Sequence, residues 1–148
     1  MSFLQKPSRK IFVNFLSGGA GAPWEDGQSS DQHRDRDLRC FPPEDYVKVN
    51  SSVWMQGTVA QVKEAEDNAV ILNDGTGSVL LPACDKVASK IPFKKGMYLM
   101  VVGSVLRLGR EPVVRPVKIQ DLETQPRARD LWPLEVRDQV NFLNKTTH

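Results

Sequence analysis

The sequence predicts an all-β domain: a barrel of five strands, with a short helix between strands 3 and 4 and an amphipathic helix after the last strand. Two observations lead to this prediction. Apolar runs separated by turn residues recur from about residue 46 to residue 122. The stretch that follows repeats apolar residues at helical spacing. With 148 residues, 40% hydrophobic and 26% charged, the composition is that of one globular domain.

The N-terminal third divides into two parts by composition. Residues 1–16 hold the apolar run IFVNFL, which predicts a segment that docks on the main domain or else is disordered. A secretory signal is disfavoured, because its apolar core usually spans about 7–15 residues. Residues 17–45 are rich in Gly, Ser and mixed charge, and predict a flexible polar linker. The barrel is then expected over 46–125, with an interface helix and tail over 126–148.

The first predicted strand covers residues 53–65. Alternation puts the odd-numbered residues from Val53 on one face and the even-numbered residues from Trp54 on the other. A glycine inside a strand, here Gly57, indicates a bend or the close approach of a neighbouring backbone. This strand is therefore expected to lie next to another strand at short distance.

The next two strands form a predicted hairpin. The apolar run at 69–74 ends in Asp74-Gly75, and a second apolar run, SVLLPA, follows. Asp-Gly between two apolar runs is a strong hairpin signal. A phosphate-binding turn would need a lysine and a following helix, and neither is present there.

A helix and two more strands complete the predicted domain. Val87 and Ile91 stand four residues apart, which favours a short helix that ends at Pro92. The strand at 97–107 is apolar on both faces, which predicts burial of both. The last strand covers 113–122, and its Pro116 requires an edge or a bulge.

Five strands with a single internal helix are typical of the OB-fold, a five-stranded Greek-key barrel. A small β-sandwich is the alternative, but sandwiches usually have about seven strands and no internal helix.

The C-terminal segment predicts an amphipathic helix. Asp130 is positioned to cap it, and Pro133 is tolerated in a first turn. The helix either closes its own barrel or packs on a second subunit, and we expect the second. The apolar positions are Trp132, Val136, Val140 and Leu143, widened by Leu131, Leu134 and Phe142.

Residues suited to catalysis or metal binding are few. Cys40, Cys84, His33 and His148 make up all the cysteines and histidines, too few for a disulfide framework or a typical zinc site. No catalytic set emerges, and we expect neither an enzyme nor a cofactor. Two free thiols fit the cytosol or the nucleus. No apolar run approaches the roughly 20 residues of a membrane span.

Single-strand nucleic-acid binding is the alternative function. It requires cations and aromatic stacking platforms, and the hairpin at 69–81 has neither. Trp54 is interpreted first as a partner anchor, then as a core residue or a stacking platform. The net charge is only +2. Basic residues gather elsewhere, at Lys86, Lys90, Lys94, Lys95, Arg107, Arg110, Arg115 and Lys118.

Four blocks of this sequence resemble one known family. They are VWMQGTV (53–59), GMYLMVVGSV (96–105), VKIQDL (117–122) and LWPLEV (131–136). Together they cover about residues 50–142 and are similar to the second, small subunit of the RecQ-mediated genome instability (RMI) complex. Lys10 and its apolar neighbours resemble that family's N-terminal segment. Pro133 departs from the family pattern, in which an acidic residue is allowed.

The resemblance implies a non-catalytic, nuclear OB-fold subunit. It would pair with the C-terminal OB domain of the larger RMI subunit, in the manner of replication protein A subunits. The pair would join Bloom helicase and topoisomerase III alpha, which together dissolve double Holliday junctions, with weak or no direct DNA binding. By position, Trp132 and the helix stripe would carry the subunit interface, and Lys118 and Trp54 would contact the other members.

Overall fold

The computed structural model describes residues 8–17, 42–43 and 46–146, with side chains up to Leu143. The long helix α1 is Pro126–Thr146, and three short 3-10 turns lie at Val13–Ser17, Glu64–Glu66 and Cys84–Lys86. Most of the predicted linker at 17–45 lies outside the described residues, and the domain boundaries stay a prediction. The strands are β1 (Arg9–Lys10), β2 (Ser52–Lys63), β3 (Ala69–Asn73), β4 (Ser78–Leu81), β5 (Tyr98–Arg107) and β6 (Val113–Asp121).

Strands β2 to β6 close into a five-stranded barrel, as the sequence predicted. β2 pairs antiparallel with both β3 and β5, while β3–β4 and β5–β6 are also antiparallel. A short parallel pairing between β4 and β6, at Leu80 and Val113, completes the ring. The two-residue β1 adds to β2 in parallel, on the outside of the five.

Two strand predictions are confirmed at the level of single residues. A Cβ on Gly57 would lie 2.9 Å from the carbonyl oxygen of Asn73 on β3, so the neighbouring backbone does come close. Pro116 lies beside a register shift in the β5–β6 ladder. An extra residue in the strand at that bulge removes the demand for a ladder hydrogen bond from Pro116.

The short helix predicted between the third and fourth barrel strands, which are β4 and β5, is shorter than expected. The connection holds only the 3-10 turn Cys84–Lys86, which starts from Ala83 in the left-handed conformation. Two apolar residues four positions apart are weak support for so short a helix, since nucleation is unfavourable. Successive tight turns instead let Cys84 and Phe93 both reach the core.

The C-terminal helix is present, but its predicted start is wrong. It begins at Pro126, not after Asp130, so Pro133 lies inside it. Proline suits the first helical position, because its φ is already helical and its missing N–H has no partner to lose there. At Pro133 the missing N–H leaves the carbonyl of Arg129 without its usual helical partner.

The strand predicted to be apolar on both faces is buried on both over most of its length. Leu99 and Val101 point into the barrel. Tyr98 and Met100 form a second cluster with Leu122, against Ala128 of α1. Of the apolar residues of β5, only Leu106, at the far end of the strand, is exposed.

The N-terminal segment supplies a large part of the core. Phe12, Ile11 and Leu16 lead the largest fully buried side chains, and Val13 and Phe15 are buried beside them. The run IFVNFL is thus packed into the barrel domain.

Among the described residues, no helix is long and apolar enough to cross a membrane.

Candidate functional site

A row of four residues crosses four strands on the outer face of the barrel. Lys10 on β1 is the register partner of Trp54 on β2, which pairs with Val102 on β5, which pairs with Lys118 on β6. Register partners point to the same side of a sheet. The row therefore brings Trp54 and Lys118, the two candidate contacts on strands, to one surface.

Lys10 is held at one end of this row by aromatic and acidic neighbours. Its Nζ lies 5.0 Å from the centre of the Trp54 ring and 5.9 Å from that of Trp132. The same ammonium donates to Glu135 Oε1 at 3.0 Å. A cation near aromatic faces and paired with a carboxylate is well placed to order both indoles.

The two tryptophans form a contact of their own. Their ring centres are 5.9 Å apart and the planes are inclined by 38°. Both Nε1 atoms are buried, and neither has a hydrogen-bond partner among the described residues. Buried indole N–H groups usually find an acceptor, so these two donors are unsatisfied exceptions among the described residues.

Helix α1 has apolar residues on two sides, and only one of these sides packs on the barrel. Trp132, Val136 and Val140 are buried against the chain's own barrel, and Leu143 packs half-buried beside them. The sequence left two interpretations of this helix open: it closes its own barrel, or it packs on a second subunit. In the structure, these four residues pack on the chain's own barrel. Contact of the four with another subunit stays a prediction, and in this fold it would need α1 to move.

The other side of α1 carries apolar residues that no described part of the chain covers. Leu131 is 46% exposed, Leu134 55% and Phe142 64%. Large exposed apolar side chains gathered on one element are typical of protein–protein contact sites. Leu131 and Leu134 of the predicted interface set therefore face outward, together with Phe142.

A groove lies next to Trp132, at the N-terminal end of α1. Its volume is about 490 Å³. Tyr98 donates its hydroxyl to Gln56 Oε1 at 3.1 Å, and the Arg129 guanidinium lies 4.5 Å from the Tyr98 ring centre. Burial raises the pKa of Tyr98 to about 12, with Arg129 acting in the opposite direction. The groove is mixed in character, with an aromatic wall and one cation at its edge.

The described residues offer little to catalysis. No group of three or more potential metal ligands occurs in the part of the chain that the structure covers. The Cys84 thiol is buried against Leu81, and burial raises its pKa to about 12, so it is a poor nucleophile. His33, Cys40 and His148 lie outside the described residues.

The surface that commonly binds single strands in OB-folds is poorly equipped here. The half-buried and exposed positions of β3 and β4 hold Ile71, Asn73, Ser78 and Leu80, with no cation and no aromatic ring. The lysines around residues 86–95 lie on the connection between β4 and β5 instead.

The sequence did not predict the contacts between the N-terminal segment and α1. It named Lys10 only in connection with a family segment, and it did not single out Glu135 or Gln139. The structure joins them: Gln139 Oε1 accepts the Lys10 backbone N–H at 2.7 Å and the Tyr46 hydroxyl at 2.8 Å. The apolar run after Lys10 was the available signal, because such a run must dock somewhere.

Fold and surface together define an OB-fold protein whose C-terminal helix has one side in its own core and an exposed apolar side. The family model for RecQ-mediated genome instability protein 2 matches residues 7–140. The chain belongs to that family.

Relatives of the same name support this assignment. Those of Gallus gallus and Bos taurus are each 38% identical over 88 residues, which is 59% of this chain. The matched part spans 64% of the Gallus gallus protein and 54% of the Bos taurus protein. This chain thus aligns with somewhat more than half of each relative.

Solved structures show the same fold at low identity. The telomere capping protein Ten1 of Saccharomyces pombe has a TM-score of 0.52 and 18% identity, over 87% of this chain and 97% of that one. A chain of the S. pombe Stn1–Ten1 complex has a TM-score of 0.53 and 17% identity, over 88% and 92%.

Proposed function

We propose that this protein is a non-catalytic scaffold subunit of a nuclear complex of Bloom helicase, topoisomerase III alpha and the RMI proteins. It stabilises the larger RMI subunit by pairing with that subunit's C-terminal OB domain. Through the complex it supports double Holliday junction dissolution, recombination repair and genome stability. Family membership supports this role, and the names of the relatives point to a RecQ-associated process.

One observation carries the proposal: the exposed apolar side of α1. Leu131, Leu134 and Phe142 lie opposite the residues that bind the barrel, so the helix is free to pack on a second protein without leaving its own core. Burying a large apolar side chain contributes about 1.5–3 kcal/mol. Covering the exposed parts of these three side chains would therefore stabilise a complex with a second protein.

The experiment is co-expression with the larger RMI subunit, followed by affinity capture. The double variant Leu134→Glu, Phe142→Glu places two carboxylates on the exposed side. We expect capture to fall at least tenfold while the circular dichroism and melting temperature of the variant stay those of the parent. The matched control is Val49→Glu, since Val49 is an apolar residue of similar exposure, 51%, that lies before β2 and not on α1.

Equal capture by the double variant and by the control would remove α1 as the interface. The pairing itself would be refuted if the unmodified chain failed to capture the larger subunit at micromolar concentrations.

A second set of contacts is proposed on the row of residues that crosses the strands, Lys10, Trp54, Val102 and Lys118. Trp54 and Lys118 would meet the helicase or the topoisomerase, because the row continues from α1 across the outer face of β2, β5 and β6. Trp54→Ala and Lys118→Glu should then lose those members while keeping the larger RMI subunit. Retention of every member by both variants would leave the row without a role in assembly.

Direct binding to DNA is expected to be weak. The outward side of β3 and β4 has no aromatic or basic side chain, so stacking and phosphate contacts are both missing there. Fluorescence anisotropy with a labelled single strand at low salt tests this. Micromolar, steeply salt-dependent binding would favour the alternative of a single-strand-binding OB protein.

A further inference from the structure

The turn between β3 and β4 holds the N-terminal segment through two side chains. Asp74 Oδ2 accepts the backbone N–H of Val13 at 2.8 Å, and Thr76 Oγ1 accepts that of Asn14 at 3.0 Å. These two N–H groups open the 3-10 turn Val13–Ser17, where the turn itself provides no acceptor for them. A hairpin turn about 60 residues away in the sequence therefore caps the segment.

Asp74 and Thr76 are also tied to each other. Thr76 donates both its backbone N–H and its hydroxyl to Asp74 Oδ1, at 2.9 and 2.6 Å. The pair is a preformed acceptor site, because each member orients the other. Asn73 is different, because its side chain bonds within its own hairpin: Nδ2 donates to Ser78, and Oδ1 accepts the N–H of Gly75.

Charge around Asp74 comes from few groups. None of the ion pairs in the described ranges involves it. Tyr98 of β5 and Arg129 of α1 line the same groove as Asp74, and the segment itself brings no charged side chain to the carboxylate. The carboxylate is held by N–H and O–H donors, not by a cation.

The same short segment reaches the candidate partner surface at its other end. Lys10 stands three residues before Val13, and its side chain lies over Trp54 and Trp132. Ile11 donates its N–H to the Trp54 carbonyl at 3.0 Å, and Leu16 accepts from Gly109 at 2.8 Å. The segment thus connects the β3–β4 turn to the strand face that carries Trp54 and Lys118.

We propose that Asp74 and Thr76 form a clasp that fixes residues 8–17 on the barrel and so places Lys10 at the partner surface. Docking of the segment and binding of the partner are then coupled, and each strengthens the other. The coupling rests on the proposed function, whereas the clasp does not. Asp74 and Thr76 are positioning residues, since they act through the segment.

The test uses full-length variants Asp74→Asn and Thr76→Val, with Asn73→Ala as the matched control in the same turn. Hydrogen exchange is followed at the amides of residues 11–16 and in β3 and β5. We expect exchange in the segment to rise at least tenfold in both clasp variants, with β3 and β5 unchanged. Asn73→Ala should match the parent throughout.

A uniform rise of exchange over the whole barrel would overturn the clasp, because the segment would then open only with global unfolding. So would a rise in Asn73→Ala equal to that in Thr76→Val.

The coupling is tested by affinity for the helicase and the topoisomerase, the members proposed to meet the surface that carries Trp54 and Lys10. We expect Thr76→Val to weaken binding by about the factor by which it loosens the segment, and the partner to slow exchange at Val13 and Asn14. Unchanged affinity of Thr76→Val for both members, with the parent chain still capturing the larger RMI subunit, would overturn the coupling and leave the proposed function standing. Loss of the proposed function would appear separately, as no capture by the parent chain.

Discussion

Single residues of this protein act through contacts that are distant in sequence. Asp74 is the example with the clearest consequence. Burial raises the pKa of its carboxyl above the ordinary value of 3.8, while donation from Thr76 and from the backbone of Val13, Thr76 and Gly77 lowers it, with burial the larger cause. The folded protein therefore keeps this proton to higher pH than the unfolded chain does.

The sign of the pH effect follows from linkage. Between pH 3.8 and the raised pKa, the folded state binds more protons at Asp74 than the unfolded state. The contribution of Asp74 to stability is therefore greatest below that window and falls as pH rises through it. We expect the Asp74→Asn variant to lack this decrease of stability with rising pH, because its side chain does not titrate.

The measurement is the free energy of unfolding by urea at several pH values, for the parent and for Asp74→Asn. Subtracting one curve from the other removes the contributions of the other carboxyl groups. If the free energy of unfolding of the parent minus that of Asp74→Asn rose with pH across this window, the hydrogen-bond donors would outweigh burial at Asp74.

At the scale of elements, α1 has two sides with different energetic roles. Trp132 is 2% exposed and packs in the core, whereas Leu134 on the other side meets no described part of the chain closely enough to be covered. Sequence periodicity detects both sides as apolar, but it cannot say which one meets the barrel.

The expected result is a large difference between two truncations on this helix. Trp132→Ala should lower the free energy of unfolding by about 3–5 kcal/mol, the usual cost for a buried large aromatic residue. Leu134→Ala should change it by no more than about 0.5 kcal/mol, as exposed positions do. Urea unfolding of both variants checks this, and equal effects would contradict the assignment of the two sides.

Element boundaries show where local patterns fail. The strands were predictable because alternation, the Asp74-Gly75 turn and Pro116 are local signals, and the ladders follow them. The helix predicted around Val87 did not form beyond the turn Cys84–Lys86, since burial of Phe93 decides the path there. The start of α1 moved to Pro126 because proline fits the first helical position better than the interior.

At the scale of the whole molecule, the barrel core is completed by a segment that precedes the barrel by about 30 residues in sequence. Ile11, Phe12 and Leu16 are among the largest fully buried side chains. Each buried side chain of this kind contributes about 1.5–3 kcal/mol, against a total stability of about 5–15 kcal/mol for a typical domain.

Deletion of residues 1–17 should therefore destabilise the barrel strongly. We expect the shortened chain to melt cooperatively but about 10 °C or more below the full chain, and to bind a hydrophobic dye, because apolar core surface is uncovered. Differential scanning calorimetry of the full and shortened chains is the measurement. A shortened chain that kept its transition within a few degrees would show that the barrel core is complete without the segment.

The sequence by itself determined the class of fold, the five strands, the C-terminal helix and the family resemblance. These depend on periodicity, turn chemistry and residue order, which are local properties of the chain. Only the tertiary structure decided which side of α1 is exposed, and that Lys10, Trp54 and Lys118 share one outer face of the barrel, with Trp132 buried beside Trp54. The Asp74–Thr76 contact with the N-terminal segment belongs here too. Such contacts join residues from 44 to 122 positions apart, and burial and register across the barrel, which no local pattern encodes, bring them together.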